Sequence, residues 1–293
     1  MSRTPAASAV ARLRGAQGFL FDLDGTLVLG DKSNAGLRPL PGALEFTQRL
    51  AMLGVPFAVM TNGTVRTPAQ YAGKLRALGF AVEEHRMLTP ASIAAEYFRR
   101  RGLQRILVLG GEGITVPLAA AGLEPVLPKE GRADVEAILI GWYREFGMAD
   151  LEVACEAAWR GARLFAASLA PFYATADGRA LGTSRAIAAM ITSVTGRRAT
   201  VVGKPALHAL RIAAARMGVE PASLAVVGDD PQLEVPMAHR AGALAVAVHS
   251  GVGTASAFAA LPHGARAHIE VADIAELARH YGSGRASRAR VRA

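Results

Sequence analysis

Asp22 and Asp24 are two carboxylates spaced i, i+2 in the run Phe21-Asp22-Leu23-Asp24-Gly25-Thr26-Leu27. In extended chain such a pair projects to one side. Held that close, the two charges repel, and at least one pKa rises unless a cation lies between them. A hard cation with oxygen ligands meets that need, and Asp229 in Gly228-Asp229-Asp230 offers a third carboxylate. With few protein ligands and water completing the shell, Mg²⁺ is the expected ion. Thr61-Asn62-Gly63 adds a hydroxyl and Gly203-Lys204-Pro205 a positive charge. Gly25 and Gly63 let backbone N–H groups approach an anion closely. A divalent cation, an ammonium, a hydroxyl and backbone donors together suit a phosphoryl group. Asp22, the last residue of an apolar run, is placed to attack phosphorus in line. Asp24 is placed to protonate the leaving oxygen and afterwards to activate a water. Each cluster alone is a common solvated turn, but four of them at four strand ends are hard to obtain by accident.

The elements that must hold these groups alternate along the chain. Short apolar runs without polar alternation read as strands buried on both faces: 17–22, 55–60, 105–109, 137–140, 163–167, 200–202, 224–227, 243–248 and 268–271. Segments of helical period lie between them, at 42–53, 68–78, 90–101, 149–160, 184–195, 207–217 and 232–241, several stopping at a glycine. Alternating strand and helix implies right-handed crossovers, an α/β fold and a mostly parallel sheet. Ligands of such sheets bind beyond the carboxyl ends of the strands, where all four clusters fall.

Composition narrows the class. The chain has 293 residues, 51% of them hydrophobic, which is enough for about two cores and excludes global disorder. The lone Cys155 cannot form an internal disulfide. No apolar stretch approaches bilayer length, so a cytoplasmic protein away from membranes is expected. The net charge of +9 comes from 33 Lys+Arg against 24 Asp+Glu. Setting aside Arg3, Arg12, Arg14, Arg285, Arg288, Arg290 and Arg292 leaves 26 against 24. The basicity therefore belongs to two Ala-, Ser- and Gly-rich ends, 1–16 and 282–293, expected to be disordered tails rather than nucleic-acid arms.

The first run resembles the opening signature of the haloacid-dehalogenase-like superfamily, and Thr61-Asn62, Lys204 and Asp229 match its second, third and fourth. Asp24 points to the phosphatases, since the dehalogenases of that superfamily lack it. About 140 residues separate Thr61 from Lys204, which implies an inserted α/β cap of the second type, as in the NagD-like and 4-nitrophenylphosphatase branch. Leu40-Pro41-Gly42-Ala43, Arg66-Thr67-Pro68, Asp177-Gly178, Gly182-Thr183 and Val202-Gly203-Lys204-Pro205 support it. The resemblance implies a Rossmann-like core at 17–84 and 183–281 around a cap at 85–182. It implies Asp22 as nucleophile and Asp24 as acid/base, with Thr61, Asn62, Gly63 and Lys204 on the phosphate. Mg²⁺ would sit on Asp22, the backbone carbonyl of Asp24, and Asp229, with Asp230 and Glu234 standing behind them. The chain departs from the pattern in three places. Gly63 replaces a usual Asn, Glu234 a usual Asp, and Ala167-Ser168-Leu169-Ala170 a usual Thr-Asn-Pro-Asp.

Trp142, Tyr143, Arg144 and Phe146 follow a cap strand and could stack on a leaving group, pack in the core or form a homodimer contact through the cap. Ser168 joins Trp142, Tyr143 and Arg144 as a candidate specificity residue. Gly110-Gly111-Glu112-Gly113 reads as a strand-to-helix turn, His208 and His239 as core-edge or surface residues, and Cys155 as a buried small hydrophobe. A Mg²⁺-dependent phosphatase acting on a small phosphorylated metabolite through an aspartyl phosphate is the reading these features favour. Two alternatives remain at this level. One is a phosphotransferase or mutase of the same superfamily, and the other a non-catalytic descendant that binds a phosphometabolite.

Overall fold

A computed structural model describes residues 5–31, 36–130 and 134–282. Two parallel sheets organise the chain. The larger has six strands in the order Ile269–Val271, Leu244–Val248, Leu224–Gly228, Gly18–Asp22, Phe57–Met60, Met87–Leu88. The chain runs outward from Gly18–Asp22 in one direction through Phe57–Met60, then in the other through Leu224–Gly228. The strand order thus reverses between Gly18–Asp22 and Leu224–Gly228, the switch point at which α/β sheets hold ligands. Both strands are buried along their whole length. One face packs Phe19, Phe21, Phe46 and Tyr281, and the other packs Leu20, Met60, Leu210 and Phe258.

The second sheet has five parallel strands in the order Thr200–Val201, Arg163–Ala166, Ala137–Ile140, Arg105–Leu109, Glu124–Val126. Helices Pro90–Arg99 and Glu112–Ala120 cover one face, with Phe98, Ile114 and Leu118 inside. Helices Met148–Trp159 and Thr183–Thr195 cover the other, with Ala154, Ala158, Ile187 and Ile191 inside. This is the α/β cap inserted into the Rossmann-like core, but its limits differ from 85–182. Strand Met87–Leu88 pairs with the core strand Phe57–Met60. At the other end, helix Thr183–Thr195 and strand Thr200–Val201 belong to the cap. The apolar run before Lys204 was expected on the core sheet because its polar end resembles the other three. It instead continues the cap ladder, with Val202 N–H donating to Ala166 O and Gly203 N–H to Ala167 O. Three motifs therefore leave the core sheet, and the fourth leaves the hinge through which the chain returns from the cap.

The expected disorder of 1–16 is corrected for the described residues, while 1–4 lie outside them. Ala7–Gly15 is a helix with Leu13 fully buried. Arg12 donates to Gly242 O and Arg14 to His280 O, both at the carboxyl ends of helices, where cations are favoured. Residues 283–293 of the second tail lie outside those described.

A hairpin unforeseen in the sequence, Phe172–Thr175 with Gly178–Leu181, rises from the cap. Its tip reaches the core, where Ala176 N–H donates to Gly30 O at 2.7 Å. Among the described residues no helix is long and apolar enough to cross a membrane.

Candidate active site

Asp22 ends the central strand and is 5% exposed. One of its oxygens carries the Lys204 ammonium, and the other accepts the Thr26 hydroxyl at 3.2 Å. Lys204 is itself 3% exposed and lies 2.7 Å from Glu234 Oε1. Burial alone would push that ammonium down, but the Asp22 and Glu234 carboxylates outweigh it and hold the lysine above its ordinary value. Burial pushes the Glu234 carboxyl up to about 7, opposed by Lys204 and assisted by Asp22.

Asp229 leaves the adjacent strand, and its Oδ2 accepts Val252 N–H at 2.7 Å. Gly25, at φ +90°, lets the turn after Asp22 close over it. A Cβ on Gly25 would lie 2.5 Å from Asp229 Oδ2. Ser250 donates to Gly25 O at 2.7 Å and pins the same turn. Burial, then the neighbouring Asp22 and Glu234 charges, raise the Asp229 carboxyl well above the usual range.

Asp24 turns the other way. Its Oδ2 accepts the Thr61 hydroxyl at 3.0 Å, while Thr61 Oγ1 in turn accepts Gly63 N–H at 2.9 Å. The two donors expected on a phosphate are thus spent on Asp24 and on each other here. Asn62, also expected on the phosphate, has its amide engaged elsewhere. Its Oδ1 accepts Lys204 N–H at 2.8 Å, and its Nδ2 donates to Lys204 O at 3.0 Å and to Ser168 Oγ at 3.1 Å. Asn62 thus clasps the backbone of Lys204 and the cap strand end together. Glu234, expected behind the metal ligands, contacts the buried Lys204 ammonium, and its charge also acts on Asp229. Its other oxygen accepts Asp230 N–H at 3.2 Å, and Asp230 accepts Gln232 N–H at 2.7 Å.

A cavity of about 110 Å³ opens over this cluster. Asp22, Asp24, Thr61, Lys204 and Asp229 all line it. Its far wall comes from the cap: Trp142, Ser168, Phe172, Tyr173 and Leu181. Of the cap candidates, Trp142 and Ser168 reach the cavity. Tyr143 packs beside Phe146 with the outer cap helices, and Arg144 is exposed. Trp142 is fixed from the core, for its N–H donates to Thr64 Oγ1 at 2.7 Å. Phe172, Tyr173 and Leu181 went unnoticed in the sequence, although Asp177-Gly178 between alternating segments is a hairpin signal. Tyr71, also on the wall, carried no signal beyond its place on a helix.

Among the described residues, no three His, Cys, Asp or Glu side chains gather as a metal cluster. The side-chain donors fitting a cation are the two carboxylates Asp22 and Asp229, adjacent and buried, whose mutual repulsion a hard divalent ion would relieve. Mg²⁺, which keeps several waters and takes one or two carboxylates, fits that set.

Residues 19–124 match the model of the haloacid dehalogenase-like hydrolases, and residues 201–277 match a HAD-hydrolase-like model. Chronophin of Rattus norvegicus is 33% identical over 288 residues, covering 91% of each chain. The chain belongs to the haloacid dehalogenase-like hydrolases. Within that family it falls in the NagD-like, 4-nitrophenylphosphatase-type branch and is a phosphatase. The glycerol phosphate phosphatase of Mycobacterium tuberculosis, solved in complex with magnesium, superposes with a TM-score of 0.78 at 29% identity. It covers 91% of this chain, which covers 77% of it. The 4-nitrophenylphosphatase of Thermotoga maritima superposes with a TM-score of 0.81 at 25% identity, covering 92% of this chain and 99% of its own.

Proposed function

We propose that this phosphatase hydrolyses a small phosphomonoester in two steps through an aspartyl phosphate on Asp22, with Mg²⁺ bound. The observation that carries the reading is the division of labour between the two carboxylates. Asp22 is locked between Lys204 and Thr26 at the switch point of the sheet, and Asp24 is held by Thr61 on the cavity wall. A side chain fixed on both oxygens loses little entropy on reaching the in-line geometry. Asp22 would attack phosphorus as the bond to the ester oxygen breaks, and Asp24 would deliver the proton that oxygen needs. Asp24 would then take a proton from water, whose oxygen attacks the phosphorus, releasing phosphate and restoring the Asp22 carboxylate. Lys204 would offset the charge that moves onto the phosphoryl oxygens. Asp22, Asp229 and the Asp24 backbone carbonyl would hold Mg²⁺, which supplies further charge neutralisation to the phosphoryl group.

The small cavity and the cap wall over it favour a compact metabolite over a phosphoprotein. Relatives named for glycerol phosphate point the same way.

The test is phosphate release across a panel of phosphomonoesters, with Mg²⁺ and with chelator, for wild type, Asp22→Asn and Asp24→Asn. Turnover is expected only with Mg²⁺, abolished by the first substitution and nearly so by the second, with folding intact. Phosphate appearing only when an acceptor other than water is supplied would instead indicate a phosphotransferase. Equal, negligible turnover of wild type and Asp22→Asn would defeat catalysis altogether.

A further inference from the structure

The phenol of Tyr71 is fully buried, and its hydroxyl hydrogen has no acceptor. Buried hydroxyls are seldom left that way, because losing water without gaining a partner costs free energy. The ring belongs to helix Pro68–Ala77, whose start is fixed by the Thr67–Gln70 capping box, so its position is well determined. The side chain lines the catalytic cavity. Its hydroxyl faces Gly63, where an added Cβ would lie 2.4 Å from the phenolic oxygen and 3.2 Å from Thr61 Oγ1. The hydroxyl therefore lies at the phosphate loop, in space that any larger residue at position 63 would claim. Arg66, its guanidinium centre 5.7 Å from the ring centroid, has donors only, so it can donate to the phenolic oxygen but cannot accept the phenolic hydrogen. Burial, then the charge of Asp24, raise the phenol above its ordinary value, so the hydrogen stays on oxygen.

We propose that Tyr71 is a further substrate-binding residue, its hydroxyl donating a hydrogen bond to an oxygen of the bound phosphoryl group. The inference rests on the phosphatase reading above and adds to it a donor that none of the four motifs contains. Glycine at 63 and tyrosine at 71 form one device, in which the missing side chain clears the room that the hydroxyl fills. Because that donor finds its acceptor only in the substrate, the free protein bears the cost of the orphan and the complex relieves it.

Tyr71→Phe tests this with the ring retained. A hydrogen bond to a charged oxygen predicts a fall in kcat/KM of about ten- to a hundredfold, and weaker product inhibition by inorganic phosphate to a similar degree. The melting temperature should stay level or rise, since the variant buries no orphan. A structural tyrosine would give the opposite pattern, a lower melting temperature with unchanged phosphate affinity. Gly63→Ala pushes the hydroxyl aside and should lose activity on its own. In the Tyr71→Phe background it should cost little more, a non-additivity that independent sites do not show. Unchanged kcat/KM and unchanged phosphate inhibition in Tyr71→Phe would overturn the assignment, as would lower kcat/KM with phosphate inhibition intact. If wild type releases no phosphate from any ester, the phosphatase reading fails separately. Calorimetric binding of inorganic phosphate then still decides on Tyr71, with tighter binding by wild type supporting the contact and equal binding refuting it.

Discussion

Asn62→Ala removes one side chain and three hydrogen bonds, two to the Lys204 backbone where the chain returns from the cap and one to Ser168. Lys204 N–H and Lys204 C=O lose their partners, and the residue carrying them is 3% exposed. The packing is tight: a Cβ on Gly203 would come within 2.3 Å of Asn62 Oδ1. An unsatisfied buried group costs about 1–3 kcal/mol. Asn62 itself is only half-buried, so water entering the vacated space offsets part of two such penalties. A net loss of about 2–4 kcal/mol follows, which for a chain of this size lowers the melting temperature by about 3–7 °C. The ammonium of Lys204 keeps Asp22 and Glu234, so the charge stays in the site while the backbone beneath it loosens. The expected kinetic signature is a raised KM with kcat falling less, in contrast to Lys204 variants, which lose both. Asn62→Asp should be no better than alanine, because one carboxylate oxygen then faces Lys204 O. The assays are calorimetric melting and steady-state phosphate release with a fixed small ester. Wild-type melting with wild-type KM in Asn62→Ala would refute the clasp and return Asn62 to a direct role on the phosphate.

Other perturbations follow from the same geometry. Lys204→Met leaves Asp22 and Glu234 buried without their cation, so phosphate release should vanish. Stability in urea should drop by about 3–5 kcal/mol, and an unaltered urea midpoint would contradict the pairing. Gly25→Ala places a Cβ 2.5 Å from Asp229 Oδ2 at a backbone φ of +90°. The variant should need far more Mg²⁺ for half-maximal rate and lose about 1–3 kcal/mol of stability, and a wild-type Mg²⁺ titration would tell against it. In chelator, the raised carboxyls of Glu234 and Asp229 mean that the native state holds protons the unfolded chain has released. The urea midpoint should therefore fall as pH rises from the usual carboxylate range to about 7, less steeply in Glu234→Gln. A midpoint that climbs over that interval would reverse the assigned sign. Trp142→Ala should raise KM for esters with bulky leaving groups by about tenfold while sparing the smallest, as read from a substrate series.

What the sequence reveals of this site depends on how local the physics is. Asp22 and Asp24 are legible because the two carboxylates stand two residues apart at one strand end, and Asp229 because another buried strand delivers it to the same rim. Lys204 is legible as a residue but not as a position. An apolar run ending in Gly-Lys-Pro looks the same whether it pairs with a core strand or, as here, with Arg163–Ala166 of the cap. Pairing partners are long-range facts, and strands buried on both faces carry no periodicity that distinguishes two sheets. The N-terminal helix escaped for the converse reason. Its composition is that of a tail, and what Arg12 and Arg14 hold, the helix ends at Gly242 and His280, lies far away in sequence. Glu234 shows how a buried ion pair escapes a sequence reading, since its partner Lys204 lies thirty residues away. The Lys204 ammonium lies between the Asp22 and Glu234 carboxylates. On the proposed mechanism, phosphate arriving at this site would compete with Asp22 and Glu234 for the same ammonium. The affinity for substrate would then depend partly on how readily Glu234 gives Lys204 up. Glu234→Gln, which keeps the shape and removes the charge, should bind inorganic phosphate more tightly than wild type while turning over more slowly, because Asp22 is then paired more closely and attacks less readily. Weaker phosphate binding in that variant would mean that Glu234 holds the lysine in place for the substrate rather than away from it.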